Sequence, residues 1–331
     1  MLAGMTRERA FPVRSRVRHP RERTARARSL PWWAGPRHKP VQRVQRSRRS
    51  PEVNSAKPNG TLRVTTWNLQ NGGLDRPMDI GGDSRLNGII DRISAAGPQD
   101  VVFLQECRWG ALSSRRLYET AAKLGMPGWG YLVPAPRFGC DLAVFVRQSD
   151  SFHVVQERHE SGLTPWYHAL LRVETTFRSA TGQTHRIDLC GLHFAPSAPR
   201  IRGDEAEQFN LLGKVEVIAA GDFNARAIAE LPFPGGLNLA LPKIARKLDT
   251  TPAETIKTAG FADVGELAGD LTPTVGHDFS NGRAVPHRAD RIYTNSKGVD
   301  VLDYSVLSGA LDNGGRLSDH DGVTAHIRIS G

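Results

Sequence analysis

Polar side chains able to do chemistry follow several apolar runs of this sequence, as they do in sites built at the ends of β-strands. In VEVIAAGDFNAR, residues 215–226, Asp222 and Asn224 follow a strand-like run, whereas a strand interior tolerates Asp and Asn poorly. Gly221 permits a tight exit from the strand. Because strand side chains alternate with period two, we expect Asp222 and Asn224 to project to one side and Phe223 to point into the packing.

Further polar residues stand where other apolar runs end or begin. They are Asn68 and Glu106, each closing a run, His193 near the end of a third, Asp290 opening a fourth, and Asp319 and His320 just before the last. Loops at one rim of a sheet can bring such groups together although they are scattered over about 250 positions. Carboxylate and carboxamide oxygens suit Mg²⁺ or Mn²⁺ better than a thiolate-rich zinc site does. These residue types therefore point to an oxygen-rich metal site.

The elements that must position these residues are short β-rich runs punctuated by Gly, Pro and Asp, with a few helices between them. We predict strands over residues 62–68, 100–106, 141–147, 167–177, 186–194, 215–221, 289–295, 301–309 and 322–330. A TGQ turn predicts that the fourth and fifth of these form an antiparallel hairpin. Helices are predicted over residues 84–97, 203–214 and 254–260. The first places Leu86, Ile89, Ile90 and Ile93 on one face.

The run at 100–106 is continuously apolar, which is typical of a strand covered on both faces. Strands outnumber helices, and a mixed α/β architecture of packed sheets flanked by helices accounts for both observations. Residues 226–279 are otherwise ambiguous.

The strongly basic composition belongs to one end of the chain. Residues 1–60 hold 16 Lys and Arg against three acids, a net charge of +13, so the overall charge of +10 leaves −3 for the remaining residues. We predict a basic, Pro- and Arg-rich, disordered tail over residues 1–60 and a folded domain over 61–331. The tail is either a polyanion-binding arm or a solvated extension. The domain has no overall positive field of the kind that neutralises nucleic-acid phosphates.

Other classes are excluded by patterns that are missing. No run of about 18 apolar residues is present, and the Arg-rich start is not followed by an apolar segment, which argues against a membrane span and a secretory signal. Cys107, Cys140 and Cys190 have no metal-type spacing and are odd in number. We expect them to be buried thiols in a reducing compartment, and the protein to be a cytoplasmic monomer.

Six blocks of the sequence, in order, resemble the endonuclease/exonuclease/phosphatase superfamily, which includes deoxyribonuclease I-like enzymes and abasic-site endonucleases. The blocks are TTWNLQNG (65–72), VFLQE (102–106), GLHF (191–194), AAGDFNA (219–225), RADRIY (288–293) and LSDHDGV (317–323). The resemblance implies a four-layered α/β sandwich, with two mixed β-sheets packed face to face and flanked by helices. It also implies divalent-metal-dependent hydrolysis of a phosphate ester.

The resemblance further implies a role for each residue that matches the metal-binding part of the motifs. Asn68 and Glu106 match the positions that hold the metal, Mg²⁺ or Mn²⁺, with Asp319 as an additional ligand. Gln70 stands where the abasic-site branch has an acid, so a metal contact from that position is not expected. Arg147 resembles a phosphate-reading arginine of some members.

The catalytic part of the motifs is matched in the same way. Asp222 matches the residue that orients or deprotonates the attacking water, and Asn224 one that binds the phosphate. His193 and His320 match histidines near the scissile phosphate. A buried carboxylate at Asp290 would hold the His320 ring and favour its protonated form, which is useful beside an anionic transition state. The sequence leaves open whether His320 acts as a base or as a charge stabiliser.

The substrate is the least determined part of this prediction. Phosphate-ester hydrolysis requires a nucleophilic water, neutralisation of charge on the phosphoryl oxygens and help for the leaving oxygen. The leading hypothesis is a phosphodiesterase or nuclease acting on nucleic acid. A phosphatase or phosphodiesterase of small-molecule or lipid esters and a catalytically inactive binding module stay open as alternatives.

Overall fold

The computed structural model describes residues 60–75, 82–161, 165–233, 238, 240–278 and 284–330. Except for Gly60, the predicted tail lies outside these residues, so its disorder and its role stay predictions. Twelve strands and seven α-helices lie within the described ranges. The strands are β1 (Thr61–Asn68), β2 (Val101–Gln105), β3 (Gly130–Val133), β4 (Leu142–Val146), β5 (Phe152–Ser161), β6 (Ala169–Arg178), β7 (Thr184–His193), β8 (Glu216–Asp222), β9 (Ala262–Asp263), β10 (Asp290–Thr294), β11 (Val299–Leu307) and β12 (Gly322–Ile329). The helices are α1 (Ser84–Ala95), α2 (Ser113–Lys123), α3 (Pro199–Glu207), α4 (Phe209–Leu212), α5 (Pro242–Lys247), α6 (Thr251–Thr258) and α7 (Val264–Ala268).

The strands form two mixed sheets of six strands each. The first has the order β11-β12-β1-β2-β4-β3, and the second has the order β5-β6-β7-β8-β10-β9. Each sheet contains one parallel pair, β1 with β2 and β7 with β8, and its other pairs are antiparallel. The predicted hairpin is β6 and β7, which confirms the assignment of the TGQ turn.

Alternating side chains divide the apolar residues of each strand between two cores. In β2, Val101 and Phe103 join a core shared by the two sheets, whereas Val102 and Leu104 pack with α1 and α2. Alternate residues of β8 likewise join the shared core or pack with α3, α4 and α6. The layers are therefore helices, sheet, sheet and helices, which confirms the predicted four-layered sandwich and explains why the β2 run is continuously apolar.

The apolar face predicted for α1 is buried. Each predicted strand or helix has a counterpart in the structure, but its first residue, its last residue or both differ from the prediction. The helix predicted over residues 203–214 is divided into α3, which begins at Pro199 because Pro is favoured in the first helical turn, and α4. Six elements were not predicted from the sequence: β3, β5, β9, α2, α5 and α7. Most residues of β5 are exposed, so this edge strand has no apolar alternation to reveal it.

Two composition-based expectations can be compared with the structure. The three cysteines are buried and unpaired, as predicted. Among the helices of the described ranges, none combines the length and hydropathy needed to cross a bilayer.

Candidate active site

The carboxyl ends of both parallel strand pairs meet at one edge of the sandwich. Asn68 ends β1 beside Gln105, which ends β2, and His193 ends β7 opposite Asp222, which ends β8. Because β10 is antiparallel to β8, its first residue, Asp290, also lies opposite Asp222. A hydrogen bond of 3.1 Å from Asn68 Nδ2 to Asp222 Oδ2 joins the two sheets here. The chain thus gathers polar residues that are far apart in sequence.

Asn224 reaches this edge through a turn and not through continued strand alternation. The strand ends at Asp222, whose Oδ1 accepts the backbone N–H of Asn224 over 2.8 Å, and Asn224 has a φ of 49°. Asp and Asn favour turns of this kind. The two side chains still meet, with 3.0 Å between Asn224 Nδ2 and Asp222 Oδ2, and Phe223 is buried as predicted. A Cβ at Gly221 would lie 1.9 Å from the Leu192 carbonyl of β7, so glycine is required there.

The Asp222 carboxylate is the centre of the cluster and is only 1% exposed. Its Oδ2 accepts from Nδ2 of both Asn68 and Asn224, and Nε2 of His193 and His320 lie 3.4 and 3.8 Å away. Burial by itself raises the pKa of Asp222, but the charge of His320 and the hydrogen bond from His193 lower it to well below its usual value. The carboxylate is therefore ionised at neutral pH and suited to accept a hydrogen bond from water.

His320 is held by Asp290, as the resemblance implied. His320 Nδ1 lies 2.8 Å from Asp290 Oδ2, and the Thr274 hydroxyl donates to the same oxygen over 2.7 Å. Burial by itself would lower the pKa of His320. The negative charges of Asp290 and Asp222 outweigh this effect and raise the pKa to about 10. The ring is therefore an imidazolium at neutral pH, which suits it to stabilise negative charge and not to abstract a proton.

The residues predicted to bind metal are partly brought together. Glu106 Oε1 lies 3.4 Å from Asn68 Nδ2, and Glu106 Oε2 accepts the Asn71 N–H over 3.0 Å. Asn68 Oδ1 accepts the Gln70 N–H over 3.0 Å. These hard oxygens keep free lone pairs and fit Mg²⁺ or Mn²⁺. Asp319 is exposed, and in the part of the chain that the structure describes it forms no hydrogen bond with Asn68 or Glu106.

A second group could in principle hold a cation. Asp222, Asp290 and His320 each offer one ligand atom within 4.8 Å of the others. Both ring nitrogens of His320 face carboxylate oxygens, however, and an imidazolium has no lone pair to give to a metal. The metal prediction therefore stays with Asn68 and Glu106.

Backbone strain is concentrated at the same edge. Five described residues other than glycine have positive φ: Gln70, Asn71, Glu106, Phe138 and Asn224. All except Phe138 belong to the cluster or donate a backbone N–H to it. The left-handed region costs an L-residue about 1–2 kcal/mol and persists only where the surroundings enforce it. Strained residues of this kind cluster at active sites and ligand-binding sites.

The structure does not bring Arg147 to the cluster. It follows β4, which is antiparallel to β2, so it lies at the end of β2 opposite to Glu106. Its guanidinium donates to the backbone carbonyls of Gln99, Leu124 and Gly125 over 2.6–3.0 Å. All three guanidinium nitrogens of Arg147 donate to these carbonyls, two of which follow the end of α2. The predicted role in phosphate binding does not fit this placement.

Lys247 belongs to the cluster although no motif marked it. It ends α5, and its Nζ donates to Asn224 Oδ1 over 2.9 Å. Burial lowers the pKa of Lys247, and the charge of Asp222 opposes this. The residue lies in the segment that the sequence left ambiguous, where one lysine in a short basic helix carries no signal.

A series of rings leads from the surface to His193. Phe138 is 67% exposed and stacks on Tyr167 at 6.4 Å between centroids, and the Arg137 guanidinium lies 4.6 Å from the Tyr167 centroid. Tyr167 meets His168 edge-on at 4.9 Å, and His168 stacks on His193 at 4.2 Å. Burial lowers the pKa of His168 to about 3, so this ring is neutral and adds no repulsion to His193. An exposed aromatic surface is thus connected to the cluster.

Comparisons with known proteins agree with this geometry. The profile of the Endonuclease/Exonuclease/phosphatase family matches residues 65–320. No curated protein sequence matches the chain. The fold is similar to that of D. rerio TDP2 complexed with a single-strand DNA product, which is 19% identical, with 81% of this chain and 99% of that chain covered at a TM-score of 0.56. The endonuclease/exonuclease/phosphatase protein from Bacteroides vulgatus is also 19% identical, with 82% and 99% covered and a TM-score of 0.57. TDP2 from C. elegans is 19% identical, with 81% and 75% covered and a TM-score of 0.53. At these identities the similarity shows a shared fold.

Proposed function

The chain belongs to the endonuclease/exonuclease/phosphatase family, whose members hydrolyse phosphate esters, and on that premise we propose that it is a divalent-metal-dependent phosphodiesterase acting on nucleic acid. The observation that carries the proposal is the Asp222 carboxylate, which is buried, ionised and in reach of Asn68, His193 and His320 at the edge where the strands end. This is the polar equipment that attack of water on a phosphate ester requires.

Each residue has a role that follows from its contacts, and the roles of Asp222 and His320 follow also from their ionisation. The ionised Asp222 accepts a hydrogen bond from the attacking water and so orients it toward phosphorus. His193, whose Nε2 faces Asp222, donates toward the same region, and its ring is held by stacking on His168. The His320 imidazolium, held by Asp290, stabilises the negative charge that develops on the phosphoryl oxygens.

Asn68 and Glu106 would hold the divalent ion, since their oxygens are hard and keep free lone pairs. A bound Mg²⁺ or Mn²⁺ would supply positive charge to the phosphoryl oxygens. Asp319 is proposed as an additional ligand, because its loop continues directly into His320 and its side chain is exposed beside the cluster.

Nucleic acid is favoured as the substrate by the ring series that ends at Phe138. Exposed aromatic side chains near a phosphate site bind unpaired bases by stacking, and arginine over a ring adds to this. Phe138 stacks on Tyr167, and the Arg137 guanidinium lies over the Tyr167 ring. D. rerio TDP2, which has the same fold, was solved with a single-strand DNA product. We therefore propose single-stranded DNA as the first substrate to test.

The experiment is a panel of substrates with Mg²⁺ and with Mn²⁺. It comprises a single-stranded oligodeoxynucleotide, a plasmid, a duplex with an abasic site, an inositol phosphate and a sphingomyelin-like ester. We expect cleavage of the oligonucleotide, and its loss in His320→Ala. Turnover confined to the last two esters would instead favour the small-molecule or lipid alternative, and no turnover on any of them would count against an enzyme and favour a binding module.

The stacking surface has its own control. Phe138→Ala should weaken binding of the oligonucleotide by roughly 5- to 150-fold, because stacking contributes about 1–3 kcal/mol per base. Tyr118→Ala removes an aromatic side chain of comparable exposure, 59%, from α2 and should leave binding unchanged. Equal binding by both variants would argue against base stacking at Phe138.

A further inference from the structure

The amide group of Asn224 has no hydrogen left for a substrate. Its two Nδ2 hydrogens are directed at Asp222 Oδ2 and at the Phe194 carbonyl, both 3.0 Å away. The carboxylate of Asp222 and a carbonyl can only accept, so the opposite orientation of the amide would set oxygen against oxygen. Asn224 therefore presents its oxygen, and not its NH₂, to the rest of the site.

That oxygen holds the ammonium group of Lys247. Nζ donates to Asn224 Oδ1 over 2.9 Å, and an ammonium group has three hydrogens to donate. Among the residues that the structure describes, no second acceptor takes a hydrogen bond from Nζ. Lys247 is only partly exposed, so it is held in place with donors to spare.

Lys247 borders the same space as His320. Both residues line a cavity of about 380 Å³ at the edge of the cluster, which also reaches Asp319. A phosphate group of an ester bound beside His320 can therefore meet the ammonium group as well as the imidazolium. An anionic oxygen is the acceptor that a partly buried ammonium group favours most strongly.

We propose that Lys247 donates a hydrogen bond to the substrate phosphate, since the Asn224 amide has no hydrogen available for one. In this proposal Asn224 is the positioning residue that fixes Lys247. The inference rests on the proposed function for its substrate and deepens it by adding a phosphate-binding residue. It changes the role expected of Asn224 from a direct ligand of the phosphate to the support of one.

The test compares two substitutions in one helix. Lys247→Met and Arg246→Met each remove one positive charge and keep most of the side-chain length, but Arg246 is exposed and does not line the cavity. Binding of inorganic phosphate to the full chain with Mg²⁺ is measured by calorimetry. Loss of a charged hydrogen bond should weaken it by roughly 10- to 100-fold in Lys247→Met, and Arg246→Met should stay within about twofold of the unchanged chain.

Two further variants separate binding from folding. Lys247→Gln keeps a donor for Asn224 but has no charge, and it should lose phosphate binding with an unchanged thermal unfolding midpoint. Lys247→Arg should recover part of the binding. If Lys247→Met does not fold, the Lys247→Gln result decides. Phosphate binding by Lys247→Gln equal to that of the unchanged chain would overturn the inference.

The outcome for Lys247 is distinguishable from the outcome for the proposed function. A chain that binds phosphate through Lys247 but cleaves no ester of the panel would refute the proposed function and support this inference. A chain that cleaves the oligonucleotide with the same KM and kcat in Lys247→Met would support the function and refute the role of Lys247.

Discussion

Replacing Asp222 by Asn is expected to lower turnover strongly and also to reduce the stability of the fold, because an amide cannot replace all the acceptors of the carboxylate. Oδ1 accepts the Asn224 N–H, and Oδ2 accepts from Nδ2 of Asn68 and of Asn224. In either orientation, the NH₂ of the new amide faces at least one donor that the carboxylate satisfied. A buried donor left unsatisfied costs about 1–3 kcal/mol.

The lowered pKa of Asp222 also predicts that Asp222→Asn has a smaller free energy of unfolding than the unchanged chain. A carboxyl group whose pKa is lower in the folded state than in the unfolded state stabilises the fold above its unfolded pKa, here 3.8, and the contribution is lost as the pH falls through the folded value. At pH 7 the contribution is fully present. We therefore expect Asp222→Asn to lower the free energy of unfolding at pH 7 by about 1–3 kcal/mol. Loss of the group that orients the water should lower kcat by roughly 10²- to 10⁴-fold.

Urea unfolding at pH 7 and turnover of the oligonucleotide with Mg²⁺ measure the two effects. Asp303→Asn makes the same chemical change at a side chain that is 59% exposed, and it should shift the free energy of unfolding by no more than about 0.5 kcal/mol. If Asp222→Asn unfolds like the unchanged chain, the hydrogen-bond argument fails. If the variant also keeps more than about a tenth of the turnover, the proposed role of Asp222 in orienting the attacking water is refuted too.

Three more predictions test other parts of the cluster. Glu106→Gln should raise the Mg²⁺ concentration needed for half-maximal turnover by roughly tenfold or more, and a chelator should abolish turnover of the unchanged chain. An unaltered Mg²⁺ titration of the variant would show that Glu106 does not hold the metal. Asp290→Asn should lower the pKa of His320 from about 10 toward its usual value, which an NMR titration of the ring would detect; an unshifted titration would contradict the pairing. Burial raises the pKa of Glu205 to about 7, above its unfolded value, so the free energy of unfolding should fall as the pH rises from 5 to 8. Urea unfolding should show a smaller fall in Glu205→Gln, and an equal fall would assign the effect to other groups.

The architecture could be predicted from the sequence because short-range patterns encode it. Strand alternation in β12, the continuously apolar run of β2 and the apolar face of α1 each reflect which side of an element is buried. Six ordered motif blocks then identified the fold and the polar residues at the strand ends. Elements without such a pattern, such as the exposed edge strand β5, were missed for the same reason.

The identity of the polar residues was thus determined by the sequence, whereas their partners were determined only by the tertiary structure. The bond between Asn68 and Asp222 joins residues of different sheets, and no local pattern encodes which side chains two packed sheets bring into contact. Arg147 ends a strand like the others, but the antiparallel direction of β4 places it at the far end of the sheet. Lys247 reaches Asn224 only because α5 packs beside the turn after β8. Hydrogen-bond geometry then decides roles, since a donor or acceptor can be assigned only when its neighbours in space are known.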